Sequence, residues 1–578
     1  MSAFDSTLTQ SLLLLRGDWA QITANILHNG AVIWVGSGIS REKFLSLPQL
    51  LRRLLDDLYA AQNVANSTCP YRSVSQQIIN LTTRKHLNVS DNPVTWPPDE
   101  LKDVIDQLVN QYGDAMGITL VAVRGPSLAW DFLRLQEHYS NSLITPDAEH
   151  RFLALLICEG GVSEIITTNW DPLIERAYRA LQCAPPVEVV ACNDELNRPG
   201  IGGLIFKIHG CAELMNANPP RYRRNMVVTR EDIVRWTADP FFDPFKEQVR
   251  TLLRQKPAVF VGISGQDFNL QTQCVTSTIG GVVYPIDPVR IVFTVEEIGM
   301  PQRTILQALY AGDYHANAAY IDQHAALPLY GKPLLGTLFV LLILEKLECL
   351  LTAGEAAFPT DELRAFTRAF IPILQTFLVN RYDAIIDPTE RWRNLARELP
   401  GFIARFFYIY RDRKMPPSSD AYQPIDPKNA ILMALNPNLA AANLHWAILA
   451  LALLREGENL GKWKLGPGVQ ANGQDGQLTA AIAVNEIAIF LVADARSSEQ
   501  QLEANGPLEV GSHRRILLIY PSGHPPETVR RSPSRTLGRA RVSTAISELW
   551  LEDVVLNALT LGDIIDIIRS ALIAASPL

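Results

Sequence analysis

Four short stretches of the sequence place residue types able to do chemistry directly after apolar runs. Gly36-Ser37-Gly38-Ile39-Ser40 follows Ala31–Val35. Glycines around a small residue let backbone N–H groups approach a pyrophosphate, with the positive end of the next helix behind them. Taken alone, such a turn is equally explained by steric need, and the third glycine of the dinucleotide fingerprint is missing. Thr167-Thr168-Asn169-Trp170-Asp171-Pro172 closes the run Glu164–Thr167. Asp171 is a good N-cap and Pro172 a good first residue for a helix over Pro172–Leu181, which leaves the Asn169 amide unexplained and free to face a ligand. His209-Gly210 ends Leu204–Ile208. An imidazole there can take a proton near neutral pH, although a lone histidine at a strand end also serves as a hydrogen-bonded structural residue. Gly262-Ile263-Ser264-Gly265, with Asp267 just beyond, follows Ala258–Val261.

Those four runs and Arg290–Thr294 are short, apolar and separated by amphipathic helical stretches. The alternation predicts an α/β class, a Rossmann-like parallel sheet with helices on its faces. Ligands of such sheets bind in the crevice outside the carboxyl ends of the strands, where all four stretches fall. The predicted domain spans residues 1–300, with a helical insertion over about 42–155 whose clearest segments are Leu47–Leu58, Asp99–Tyr112 and Leu128–Tyr139. Residues 301–412 read as a helical region led by Leu334–Leu351 and Leu363–Phe377, and 413–429, rich in Pro, Ser and Asp, as a linker. Residues 430–578 read as a smaller C-terminal α/β or α+β domain that senses a signal or docks a partner. Its strands are expected at Ala480–Ala493 and Arg515–Tyr520, and its helices at Leu439–Leu454 and Asp563–Ile573.

At 578 residues and 47% hydrophobic, the chain can bury several cores, and its 19% charged content excludes a disordered scaffold. A formal charge of −8 argues against nucleic-acid binding over the whole surface. Asp5, Arg16, Gly17 and Asp18 break the pattern of a secretory signal, and the apolar run Pro333–Leu344 is about half a membrane span, so a cytoplasmic protein with no membrane contact is expected. Seven scattered cysteines with no C-x-x-C pair fit reduced thiols and supply no zinc framework. One basic stretch stands out, Arg530, Arg531, Arg535, Arg539 and Arg541 against a single acid, Glu527. It is either a solvated loop or a contact for the phosphates of a nucleotide or nucleic acid.

The order G-S-G-x-S, T-T-N-x-D, H-G, V-G-x-S with an Asp resembles the sirtuin family over roughly residues 20–300. The resemblance implies NAD⁺ as substrate. Gly36, Ser37, Gly38 and Ser40 would hold its pyrophosphate, Asn169 and Asp171 with Thr168 would lie at the nicotinamide ribose, and His209 would be the base. Gly262, Ser264 and Asp267 would face the adenosine. Deacetylase sirtuins carry two C-x-x-C pairs between the H-G and G-x-S motifs, whereas only Cys211 lies between His209 and Gly262 here, so no zinc is expected. Ser40-Arg41-Glu42-Lys43-Phe44 stands where deacetylases have Pro-Asp-Phe-Arg, and Thr168 replaces their Gln.

These departures, with the insertion, are similar to the zinc-less sirtuin-like effectors of bacterial antiphage defence. That resemblance implies an NAD⁺ glycohydrolase acting by abortive infection, as a homo-oligomer or in a hetero-complex with a short Argonaute or a HerA-type ATPase. The catalytic residues expected are Asn169, His209 and Asp171. Two rivals follow from the same residues: a non-catalytic NAD⁺ or ADP-ribose sensor controlling a nucleic-acid partner, and an NAD-dependent protein deacylase.

Overall fold

The computed structural model of the chain describes residues 5–63, 66, 68–120, 127–265, 270–271, 273, 284–407, 421–439, 444–467, 478–482, 485–492, 515–521 and 545–575. Asp267, the Arg530–Arg541 stretch and residues 413–420 of the predicted linker lie outside them.

The first sheet is built from β1 (Val32–Val35), β2 (Glu164–Thr167), β3 (Glu188–Val190), β4 (Leu204–Lys207), β5 (Ala258–Val261) and β6 (Ile291–Phe293). All pairings are parallel, in the order β3-β4-β2-β1-β5-β6. Central strands β1 and β5 are buried at every position, as a sheet covered on both faces requires. The edge strand β3 was not expected. It is three residues long, with Glu188 and Val189 only half-buried, so no apolar run marks it.

Register decides the site. Val35 pairs with both Thr167 and Val261, and Thr167 pairs with Lys207. The residues that follow therefore leave the sheet at one level, around β1, which is where the strand order reverses direction.

The insertion folds around its own apolar core. Helices Leu47–Ala60, Pro70–Asn80 and Pro98–Asn110 bury Leu51, Leu54, Leu58, Ile78, Val104 and Leu108. That cluster also takes in Cys192, Cys211, Met215 and Met226, so the insertion sits over the carboxyl end of the β3–β4 half of the sheet. The expected helix Leu128–Tyr139 is two pieces, Leu128–Phe132 and Leu135–Tyr139, divided where Arg134 takes φ 52°. Helix Ala148–Cys158 packs with the sheet instead of the insertion, buried at nearly every position.

The central element of the helical region is Gly331–Gly354, whose Leu334–Leu344 stretch is wholly buried. Among the described residues no helix is long and apolar enough to cross a membrane. Lys346 of this helix and Glu159, at the end of Ala148–Cys158, are both 0% exposed and paired. Lys346 also donates to the Asp426 carbonyl, while the Tyr422 hydroxyl and the Ile425 N–H donate to Glu159. Residues 421–429 are thereby held against the core, with Tyr422 and Ile425 buried.

A second charged cluster joins the helical region to the front of the sheet. Arg393 donates from two nitrogens to Asp147, and Lys332 reaches Glu42, Asp147 and Glu149. Burial pushes the Glu149 carboxyl up to about 7, against the pull of Lys332, and its Oε2 has no hydrogen-bond partner.

The C-terminal sheet contains β7 (Lys464–Pro467), β8 (Leu478–Ile482), β9 (Asn485–Leu491), β10 (Arg515–Tyr520) and β11 (Ala545–Trp550) in the order β11-β10-β9-β8-β7. Strands β7, β8 and β9 are antiparallel neighbours, and β9, β10 and β11 are parallel. The single strand expected over Ala480–Ala493 is thus two, β8 and β9. Helices Leu444–Asn459 and Leu561–Ala574 cover the sheet, the latter burying Ile564, Ile568 and Leu572 at helical spacing.

Two stability measurements check these buried charges. Lys346→Met leaves Glu159 buried without its cation and should cost about 3–5 kcal/mol in urea unfolding; an unchanged midpoint would mean the pair contributes nothing. Ionising Glu149 in the folded chain works against its burial, so stability associated with this group is full below the ordinary value of 4.5 and is lost as pH rises towards about 7. The melting temperature of Glu149→Gln relative to the parent should rise over that interval and level off above it. A difference independent of pH would contradict the assignment.

Candidate active site at the strand ends

The turns after β1 and β5 interlock backbone to backbone. Gly36 N–H donates to the Val261 carbonyl (2.9 Å) and Gly38 N–H to the Gly262 carbonyl (3.0 Å). A Cβ on Gly38 would stand 2.7 Å from the Gly262 Cα, and Gly262 itself takes φ +69°. Close approach is what requires glycine at these two positions. It also commits two of the amides that a pyrophosphate was expected to use. Ser37, at the start of the 3-10 turn Ser37–Ser40, and Ser264 are exposed at the mouth, with Gly262 half-buried between them.

Ser40, expected at the phosphate, turns inward and is buried. Its Oγ lies 3.0 Å from His150 Nε2 and accepts from Asn169 Nδ2 at 3.4 Å, and its hydroxyl also bonds the Asp171 carboxylate. Asn169 is 7% exposed, its N–H donating to Thr167 Oγ1 (3.0 Å) while its Oδ1 has no hydrogen-bond partner. Thr168, half-buried, donates its N–H to the Val35 carbonyl (3.3 Å). The Asp171 carboxylate accepts the Leu173 N–H (3.1 Å), a capping bond, and the helix starts one residue later than expected, at Leu173.

Beneath Asp171 lies Lys207, the last residue of β4, 1% exposed. Its ammonium donates to the Asp171 carbonyl and to Glu175 Oε1 (2.8 Å). Burial alone would discharge it, but the neighbouring Cys211, Glu175 and Asp171 hold it above the ordinary lysine range. Burial raises the Asp171 carboxyl, and Lys207 opposes that rise.

His209 is 8% exposed at the end of β4, beside Gly210 at φ +83°. Its carbonyl accepts the Val227 N–H (3.2 Å), and the Val227 carbonyl in turn accepts the Trp170 indole N–H (3.1 Å). Trp170 opens an aromatic wall supplied largely by the insertion. Trp130 and Tyr139 meet it edge-on at 5.4 and 5.3 Å, and Phe44 lies 4.7 Å from Tyr139. Burial, with the Asp171 charge, pushes the Tyr139 phenol up to about 12, so it stays protonated.

The structure therefore gathers Ser40, Asn169 and Asp171 into one hydrogen-bonded group, sets Gly36, Gly38, Thr168 and Gly262 at the same rim, and places His209 at the end of the neighbouring strand β4. Sequence reasoning missed His150, which looks like one more position of the apolar helix Ala148–Cys158; its only signal is the spacing of three from the capping Asp147. It also missed Lys207, hidden as the lone charge in Leu204–Ile208. Among the described residues no group of three His, Cys, Asp or Glu is placed to hold a metal ion.

The SIR2-like domain family matches residues 163–277, a stretch containing Asn169, Asp171, His209 and Gly262. A curated relative, the NAD(+) hydrolase ThsA of Enterococcus faecium, is 30% identical over 122 residues, 21% of this chain and 23% of that protein. The match thus spans under a quarter of the relative's length. The parallel sheet with its strand-end crevice thus includes a stretch, residues 163–277, that is similar to SIR2-like domains.

Proposed function

We propose that the crevice binds NAD⁺ and hydrolyses its nicotinamide–ribose bond. The observation that carries this reading is the buried Asn169 Oδ1, unpartnered at the strand ends beside the Ser40–Asp171 group, in a stretch that matches SIR2-like domains. An amide oxygen left dry and unpaired costs roughly 1–3 kcal/mol, which a ligand hydroxyl would recover. The relative named as an NAD(+) hydrolase supports hydrolysis as the outcome.

In this mechanism the C1′–N bond breaks with its electron pair leaving on nicotinamide, and the ribosyl carbon becomes oxocarbenium-like. Water adds to that carbon, and His209 takes the proton released, so the products are nicotinamide, ADP-ribose and one proton. Asn169 orients the ribose hydroxyls or the water. The Asp171 carboxylate, held by the Leu173 N–H beside Ser40 and with the Lys207 charge nearby, contributes negative potential close to the developing positive charge. The aromatic wall of Phe44, Trp130, Tyr139 and Trp170 limits bulk water on one side.

Unrestrained hydrolysis would exhaust NAD⁺, so we place the activity under an activating signal or partner, in keeping with an antiphage effector that acts by abortive infection. The C-terminal unit, including the Arg530–Arg541 stretch, is the proposed receiver. Zinc has no part in this reading, because the H-G to G-x-S interval offers one cysteine.

Chromatography of NAD⁺ incubated with the active assembly should show nicotinamide and ADP-ribose. Asn169→Ala and His209→Ala should each lose about 10²–10⁴-fold. Undiminished turnover in both variants would refute the site, and acyl-ADP-ribose formed only with an acylated peptide would favour a deacylase.

A further inference from the structure

Lys207 is the lone charge of β4, and its hydrogen bonds go to the main-chain carbonyl of Asp171 and to Glu175 Oε1 (2.8 Å). Neither bond reaches the Asp171 carboxylate, whose Oδ1 accepts the Leu173 N–H instead (3.1 Å). The ammonium and that carboxylate still act on each other through space. Lys207, Asp171 and Glu175 are each at most 5% exposed, so little water screens the interaction.

Both anchors of the ammonium belong to one segment: Asp171 just before the helix Leu173–Leu181, and Glu175 in its first turn. Lys207 is therefore tied beneath that helix start at two points. A direct salt bridge would cancel much of the Asp171 charge, whereas no cation at all would leave burial to protonate it. Lys207 stands between these extremes. Burial raises the Asp171 carboxyl, and Lys207 is the strongest charge opposing that rise. Lys207 is itself held above the ordinary lysine range, so it stays charged wherever a carboxyl titrates. Of the other titratable neighbours, burial keeps the Cys211 thiol and the Tyr139 phenol protonated, and Glu175 adds a negative charge that Lys207 answers directly. His209, two residues beyond Lys207, is common to every variant below.

We propose that Lys207 is a positioning residue that keeps Asp171 ionised from beneath without forming a salt bridge to its carboxylate, so that the negative charge remains available to the cationic nicotinamide ring and to the ribosyl carbon. This rests on the NAD⁺ reading above and specifies what keeps Asp171 in the form that reading needs.

The experiment is NAD⁺ titration calorimetry on the full chain across the acid side of neutrality. The nicotinamide ring of NAD⁺ is cationic before its bond breaks, so affinity should fall as Asp171 takes up a proton. In Lys207→Met that fall should move to higher pH by about one unit or more, which makes binding about tenfold weaker than in the parent at a pH between the two falls. Glu175→Gln removes the opposing negative charge, so its fall should stay in place or move to lower pH. Asp171→Asn cannot titrate and should show no acid-side fall, with or without Lys207.

Lys207→Met strands Glu175 in a dry site. Should it fail to fold, Lys207→Met/Glu175→Gln strands neither charge and carries the same comparison. Its fall should also lie above that of the parent, because Lys207 is the main charge acting on Asp171. A loss in Lys207→Met, or in the double variant, that is equal at every pH would overturn the proposal by showing that Lys207 only holds the turn in shape. So would an upward movement in Glu175→Gln, or an acid-side fall that persists in Asp171→Asn. No NAD⁺ binding by the parent chain would instead overturn the functional reading on which the proposal rests.

Discussion

The site depends on the contact between two turns that have no side chains to keep them apart. Gly36 and Gly38 bond to the carbonyls of Val261 and Gly262, and the backbones meet at a distance no Cβ would permit. That contact pins the turn after β1 to the end of β5, and Ser40 is pinned with it. Ser40 can then serve as the common partner of His150, Asn169 and Asp171, which come from two other segments of the chain. Loosening the glycine contact would release the polar group before any ligand residue was touched.

Holding so many polar groups in a dry place costs free energy, and the fold offsets it with buried pairing. Lys207 and Glu175 neutralise each other below Asp171, and Lys346 and Glu159 do the same at the other end of helix Ala148–Cys158. Pairs of this kind contribute little net stability compared with apolar packing, but breaking either one strands a charge. Their positions are instructive. Helix Ala148–Cys158 is fixed by Arg393 and Lys332 at its start and by Lys346 at its end, all from the helical region. A shift of that region would therefore be felt at His150 before it reached the crevice.

What the sequence made legible was the part written in local pattern. Short apolar runs ending in Gly36, Asn169, His209 and Gly262 are readable because each run and its polar stop are neighbours in the chain. Parallel register then brings the stops together without further information. The strand β3 escaped because three residues, only one of them buried, have no period to detect. His150 and Lys207 escaped because their partners lie 110 and 32 residues away, and because Lys207 is set among apolar neighbours. The backbone partners of Gly36 and Gly38 stayed hidden for a related reason: a glycine turn that receives phosphate and one that receives another backbone look the same in sequence.

The central claim is that the strand-end crevice is where NAD⁺ is bound and opened. A crystal structure of the full chain with NAD⁺ or its hydrolysis product tests it most directly. The account predicts the nicotinamide ribose between Asn169 and His209, with one of its hydroxyl groups within about 3 Å of Asn169 Oδ1. A dinucleotide seated elsewhere on the chain, with Asn169 Oδ1 still unpartnered, would contradict it.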